Sequence, residues 1–291
     1  MIGILAAIAA TAVAGAVGGS TVGLTPAQQQ ELAARLATSG RASLIRLNDI
    51  DIQDYKPRPG TSDQYEFLLI KRGGDTLFTL ADGRFTMQNV RIGGGGAGPN
   101  AIFVGFSGGV HCCYTAHLIW IEGRLHHQEV ELGDSQLRVV SISNVPQLRF
   151  YDFAFAGWNA SFDDSPAPQV ILSYDPRKGE YVADAQAMRQ TPPDEAMLRL
   201  RAEEIRKVYD GLHPGDLDPV LWSAMLDMIY AGNAASARNL LDAAWPPDRP
   251  GKDEFLAAFT RQLWSGATWR RFDLGRVVGA AEAFPPPPEA R

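Results

Sequence analysis

Between residues 42 and 185, β-branched, aromatic and aliphatic residues come in short runs at 43–47, 64–71, 76–81, 84–92, 101–107, 114–121, 125–132, 136–143, 148–154, 169–174 and 180–183, each closed by Gly, Asp, Asn or Pro. No long helical period intervenes. Strands without crossover helices pair as antiparallel neighbours, so this stretch constrains the fold class more than any other feature. The turns Ala81-Asp82-Gly83-Arg84 and Glu122-Gly123 carry hairpin chemistry. The expectation is an antiparallel β domain over 41–185, as a sandwich, a barrel or a propeller-like array. After residue 190 the period changes. Asp194 precedes a stripe of Leu198, Ala202, Ile205 and Tyr209 that Gly211 ends, and Asp218 with Pro219 opens a helix carrying Leu221, Trp222, Met225 and Ile229. A third helix spans 234–244, and Phe255, Phe259 and Leu263 mark one face of a fourth. The class is therefore α+β: an N-terminal mainly antiparallel β domain followed by a small C-terminal helical domain over 191–275. The second and third of these helices read as a tetratricopeptide-like hairpin, without a repeat at a fixed period. A short helix over 25–40 precedes the strands, and the proline-rich end, 276–291, is expected to be disordered.

Residues 1–24 are apolar or small, and no charge occurs before Glu31. Such a stretch predicts a signal peptide, with Ala12-Val13-Ala14 or Ala14-Gly15-Ala16 as cleavage sites, or an uncleaved membrane anchor, for which about 20 apolar residues suffice. Either places the body in the periplasm or outside the cell, whereas the third reading, a buried helix, does not. A net charge of −6 opposes a broad nucleic-acid-binding face, which needs clustered Lys and Arg.

Chemistry concentrates in one segment, Ser107, Gly108, Gly109, Val110, His111, Cys112, Cys113 and Tyr114. The chain has two cysteines. In an oxidising compartment an intrachain bridge can only join these adjacent residues, and their Cα separation of about 3.8 Å is shorter than an unstrained disulfide prefers. Three readings stand: a vicinal disulfide forming a ligand-binding or redox turn, two reduced thiols packed as small hydrophobes, or soft-metal ligation by His111, Cys112 and Cys113. His117 and the doublet His126-His127 lie on neighbouring runs and could meet across a hairpin, although such a doublet is more often solvated. Gly105-Phe106-Ser107-Gly108-Gly109 also fits the G-x-S-x-G nucleophile elbow, with Ser107 as nucleophile and His213 as base. Asn48, Asp49, Asp51 and Asp54 read as a solvated turn rather than a cation loop, because Lys56 and Arg58 follow. The glycines at 93–96 and 98 read as a hairpin loop without a phosphate-binding continuation.

The segment from Phe106 to Cys113 resembles an S-G-G-x-H-C-C signature of bacterial exported proteins, some of them similar to FG-GAP-type β-repeat proteins. The stretch Ala156-Gly157-Trp158-Asn159-Ala160-Ser161-Phe162-Asp163-Asp164-Ser165-Pro166-Ala167-Pro168 is similar to the same group. The resemblance covers roughly 45–185. It implies export and an all-β body, and it supplies no reaction. The D-x-D-G-D-G loop of FG-GAP repeats is missing, with Asp49 to Asp54 where it would be expected, so calcium binding does not carry over with the resemblance. Together these features predict an exported bacterial envelope protein, more a non-catalytic binding or interaction module than an enzyme. Its partner would be a small ligand or an envelope protein, with no cofactor and no nucleic acid. Membrane contact is expected only if residues 1–24 are retained.

Overall fold

A computed structural model of the chain describes residues 26–61, 65–90, 100–108, 113–142, 145–213 and 215–288. Among them the order is α1 (Pro26–Thr38), β1 (Ser39–Leu47), β2 (Ile50–Pro57), β3 (Glu66–Arg72), β4 (Asp75–Asp82), β5 (Arg84–Val90), β6 (Ala101–Phe106), β7 (Tyr114–Glu122), β8 (Arg124–Gly133), β9 (Arg138–Ile142), β10 (Val145–Tyr151), β11 (Gln169–Asp175) and β12 (Glu180–Ala183). Helices follow: α2 (Ala185–Met188), α3 (Glu195–Asp210), α4 (Pro219–Tyr230), α5 (Ala234–Ala244), α6 (Lys252–Ser265), α7 (Ala267–Arg271) and α8 (Leu274–Val277). The α+β class holds, with strands first and helices after. The strands make three four-stranded sheets, ordered β1-β2-β3-β4, β5-β6-β7-β8 and β12-β11-β10-β9. Each is a meander in chain order, the strand order of a propeller blade.

Two compact units are present. The first holds residues 1–95, 99–112 and 117–127, and the second holds 96–98, 113–116 and 128–291. Strands give way to helices at residues 184–185, whereas the second unit already includes β9 to β12.

In the first unit, Leu47, Ile50, Ile52, Leu68, Ile70, Leu80, Phe85, Ala101, Phe103 and Ile119 form one apolar cluster. Strand β2 corrects the sequence reading, which left 48–54 as a solvated turn. Ile50 and Ile52 are buried and alternate with Asp51 and Gln53, so the segment has a strand's two-residue period beneath its acidic composition. Only Asn48 and Asp49 form the turn, with Asn48 at φ 53°. The acids have cations: Asp51 pairs with Arg46 across the ladder at 3.0 Å, and Asp49 with Arg72 at 2.8 Å. Burial raises the Asp54 carboxyl above its ordinary range, and Lys56 opposes that rise.

The second unit is held by aromatic packing. Phe155, Trp158, Trp222, Phe255 and Phe259 form a continuous set of ring contacts with centroids 5.1–6.3 Å apart. Helix starts are capped as their sequences imply: Asp194 accepts from the Met197 amide at 2.8 Å and Asp218 from the Val220 amide at 2.9 Å. The end of the chain corrects a second expectation. Residues 276–284 are not a loose tail, since Val278, Ala280 and Phe284 are buried and the Trp264 indole donates to the Phe284 carbonyl at 2.9 Å. One large aromatic anchor, Phe284 against Phe259, offsets the ordering entropy of the short segment that leads to it.

Among the described residues no helix is long and apolar enough to cross a membrane. Residues 1–24, the predicted signal or anchor, lie outside the described residues, as do residues 93–96 and 98.

Candidate functional site

The segment that contains both cysteines connects β6 to β7 in the chain. Strand β6 is buried through Gly105, and the chain then emerges, with Ser107 exposed and Gly108 in the left-handed region at φ 98°. Gly109, Val110, His111 and Cys112 lie outside the described residues. Cys113 is exposed, and Tyr114 is half-buried as the first residue of β7. This context does not fit a nucleophile elbow, which needs a parallel strand before the serine and a helix after it. Here β6 runs antiparallel to β5, and the next described element is a strand. His213, the proposed base, sits between α3 and α4 with its carbonyl accepting from Arg249 at 2.6 Å.

The approach to this turn is closely packed. Asp82, at the end of β4, is 8% exposed, and its carboxylate accepts the Gly83 amide at 2.7 Å. Burial raises its pKa, while that hydrogen bond and the nearby His117 lower it. A Cβ added at Gly105 would lie 2.2 Å from the Asp82 Oδ2 atom and 3.2 Å from the Phe85 ring, so only glycine lets the buried carboxylate approach the strand. Gly105→Ala is therefore expected to cost about 1–3 kcal/mol through overpacking. Chemical unfolding measures this, and a loss below about 0.5 kcal/mol would show that Asp82 moves aside freely.

Within the same unit a histidine pair lies between two sheet strands. The tight turn at Gly123 folds β8 back on β7, bringing His117 Nδ1 to 3.3 Å from His127 Nε2. His117 is buried and His127 half-buried. Phe78 stacks on His127 with centroids 5.0 Å apart, and Phe85 tilts against His117 at 5.8 Å. His126, one residue away, belongs to the opposite face and stacks on Trp120 at 5.1 Å. The doublet expected to be solvated is thus divided. Hairpin alternation carried this signal, because a strand sends consecutive side chains to opposite faces.

The second unit contains a cavity of about 380 Å³ walled by Trp158, Trp245, Phe255, Leu217 and Ala258, with Glu254 at its lining. Arg249 also lines it, but its guanidinium holds chain rather than facing inward as a free cation. It donates to the carbonyls of Tyr209 at 3.1 Å, His213 at 2.6 Å and Asp216, and lies over the Tyr209 ring. The Trp245 indole in turn donates to the Arg249 carbonyl at 2.9 Å. Burial pushes the Tyr209 hydroxyl up to about 12, so it stays protonated and bridges the Asp218 backbone. Sequence reading missed this cavity, because its walls come from segments up to a hundred residues apart.

Deeper in that unit, Asp152 is buried and accepts the Tyr230 hydroxyl at 2.7 Å and the Ala154 amide at 3.0 Å. Burial raises both groups: Asp152 above its ordinary 3.8, and Tyr230 well above 10.0. The pair ties the residue after β10 to α4. No family model, curated protein or solved structure matches the chain.

Proposed function

We propose that this chain is a non-catalytic binding module of the bacterial envelope, with a Cys112–Cys113 vicinal disulfide in the β6–β7 turn as part of its recognition surface. The observation that carries the reading is that Ser107 and Cys113, which flank the cysteine segment, are exposed at the ends of strands whose interiors are buried. Exposed residues flanking the connection between two buried strands suit recognition. Two facts support the bridge. The described residues contain no free cysteine, and Cys113 has only Cys112 to pair with. The apolar first 24 residues support export, which would supply an oxidising compartment. The aromatic cavity supports a small-ligand role, being of the size and lining that ligand sites favour.

Peptide mass spectrometry of protein recovered from the periplasm tests the proposal. The peptide containing Cys112 and Cys113 is expected two hydrogens light and resistant to alkylation until a reductant is added, in a chain lacking its first residues or held in the membrane fraction. Two thiols that alkylate without reductant would sink the bridge. A serine-directed fluorophosphonate that labels Ser107 would replace binding with hydrolysis.

A further inference from the structure

We infer that the aromatic cavity of the second unit takes a quaternary ammonium ion carrying an apolar body, an assignment that rests on the small-ligand reading of that cavity. Every residue that lines it belongs to the second compact unit. Phe255 meets both tryptophans of the lining, with ring centroids 5.4 Å from Trp245 and 5.9 Å from Trp158 and planes inclined by 41° and 52°. Inclined rings present their faces in more than one direction, and aromatic faces set that way surround a soft cation. The Trp245 indole N–H is already bonded to the Arg249 carbonyl, so what remains for a guest is the ring and the negative face of its π system. The charge around the rings has the matching sign. Arg249 is the cation at the lining, and its guanidinium donates to three carbonyls and lies over Tyr209. Lys252 pairs with Asp242 at 2.7 Å. Against them stand the exposed acids Glu254, which lines the cavity, and Asp216, Asp248 and Asp253, each next in sequence to a lining residue. The amino end of α6 bears only about half a positive charge, and both Asp253 and Glu254 lie in its first turn. Acids of one sign around apolar walls draw cations from solution. A quaternary ammonium asks its host for no hydrogen bonds, which suits a lining that is mostly carbon. At about 380 Å³ the cavity has the size of sites for drug-sized molecules, so the ammonium group is one end of a larger ligand.

Full-length protein titrated with benzyltrimethylammonium chloride, followed by calorimetry and tryptophan fluorescence, tests the assignment. The cation is expected to bind at least about tenfold tighter than neopentylbenzene, its uncharged carbon isostere, and than benzenesulfonate, an aromatic of opposite charge. Glu254→Gln, an exposed and nearly isosteric change, should weaken the cation about two- to fivefold and leave neopentylbenzene unaffected. Trp158→Leu keeps an apolar wall but removes a π face, and should weaken the cation at least about fivefold. Thermal unfolding confirms that each variant folds, and if Trp158→Leu does not, Glu254→Gln decides alone. Equal or tighter binding of the neutral isostere or the sulfonate would overturn the cation while leaving a small-ligand cavity in place. Cation binding unchanged by both substitutions would put it elsewhere on the chain and overturn the assignment equally. No binding of any of the three would also overturn it, without touching the cysteine bridge, which the mass of its own peptide decides.

Discussion

Phe259→Ala is expected to lower the unfolding free energy by about 3–5 kcal/mol, the largest single-residue effect we predict outside a disulfide change. The side chain is fully buried on α6, and its ring meets Phe155 at 5.1 Å, Phe284 at 5.6 Å, Phe255 at 6.0 Å and Trp158 at 6.2 Å. Truncation removes the transfer free energy of the ring and leaves a void that four rigid aromatic neighbours cannot collapse to fill. The consequence reaches the end of the chain. With Phe259 gone, Phe284 loses the ring it packs against, so residues 278–284 should become the first site of proteolytic cleavage. Urea titration should show a lower midpoint with little change in slope, and limited proteolysis should show cleavage there before global unfolding. A loss below about 1 kcal/mol would mean that the aromatic set repacks, against the density expected of a folded interior.

Tyr230→Phe is expected to cost about 1–3 kcal/mol, because it removes a hydroxyl donor from a carboxyl group that stays buried. Asp152 keeps the Ala154 amide but loses its 2.7 Å partner. The sign of the pH dependence follows from the raised Asp152 pKa, caused first by burial. In the folded state the group holds its proton at pH values where the unfolded chain, titrating near 3.8, has released it. Its contribution is therefore complete below about pH 3.8 and is lost as pH rises through the higher folded-state value. Asp152→Asn has no proton to lose, and its amide oxygen can still accept from Tyr230. The stability of wild type minus Asp152→Asn should fall as pH rises above about 4 and then level off. Asp54, Asp82 and Asp227 are raised in the same direction by burial, so the difference between the two proteins isolates Asp152. Parallel stability curves from pH 4 to 8 would refute the account.

The helical part was the most legible in the sequence. Asp194, Asp218 and Pro219 cap α3 and α4, and the apolar stripe of α6 is the Phe255, Phe259 and Leu263 face that the structure buries. These signals are local: a cap bonds two or three residues away, and a stripe repeats every turn. Most β runs were legible for the same reason. Strand β2 was not, because counting acids in 48–54 concealed the alternation of Ile50 and Ile52. The Pro-rich end was misread because its anchor, Phe284, acts through a ring on α6 that composition cannot place.

The candidate sites divide on the same line. A run of strands and then helices, two adjacent cysteines and an uncharged start are properties of neighbouring residues, and the sequence alone determined them. The tertiary structure decided which side chains meet. It separated His126 from His127, set His127 beside His117, walled a cavity with Trp158, Trp245 and Phe255, and buried Asp152 against Tyr230. Those pairings depend on register and on packing between residues up to about a hundred positions apart. Local propensity carries no information at that range, since burial and close packing arise only when the whole chain has folded.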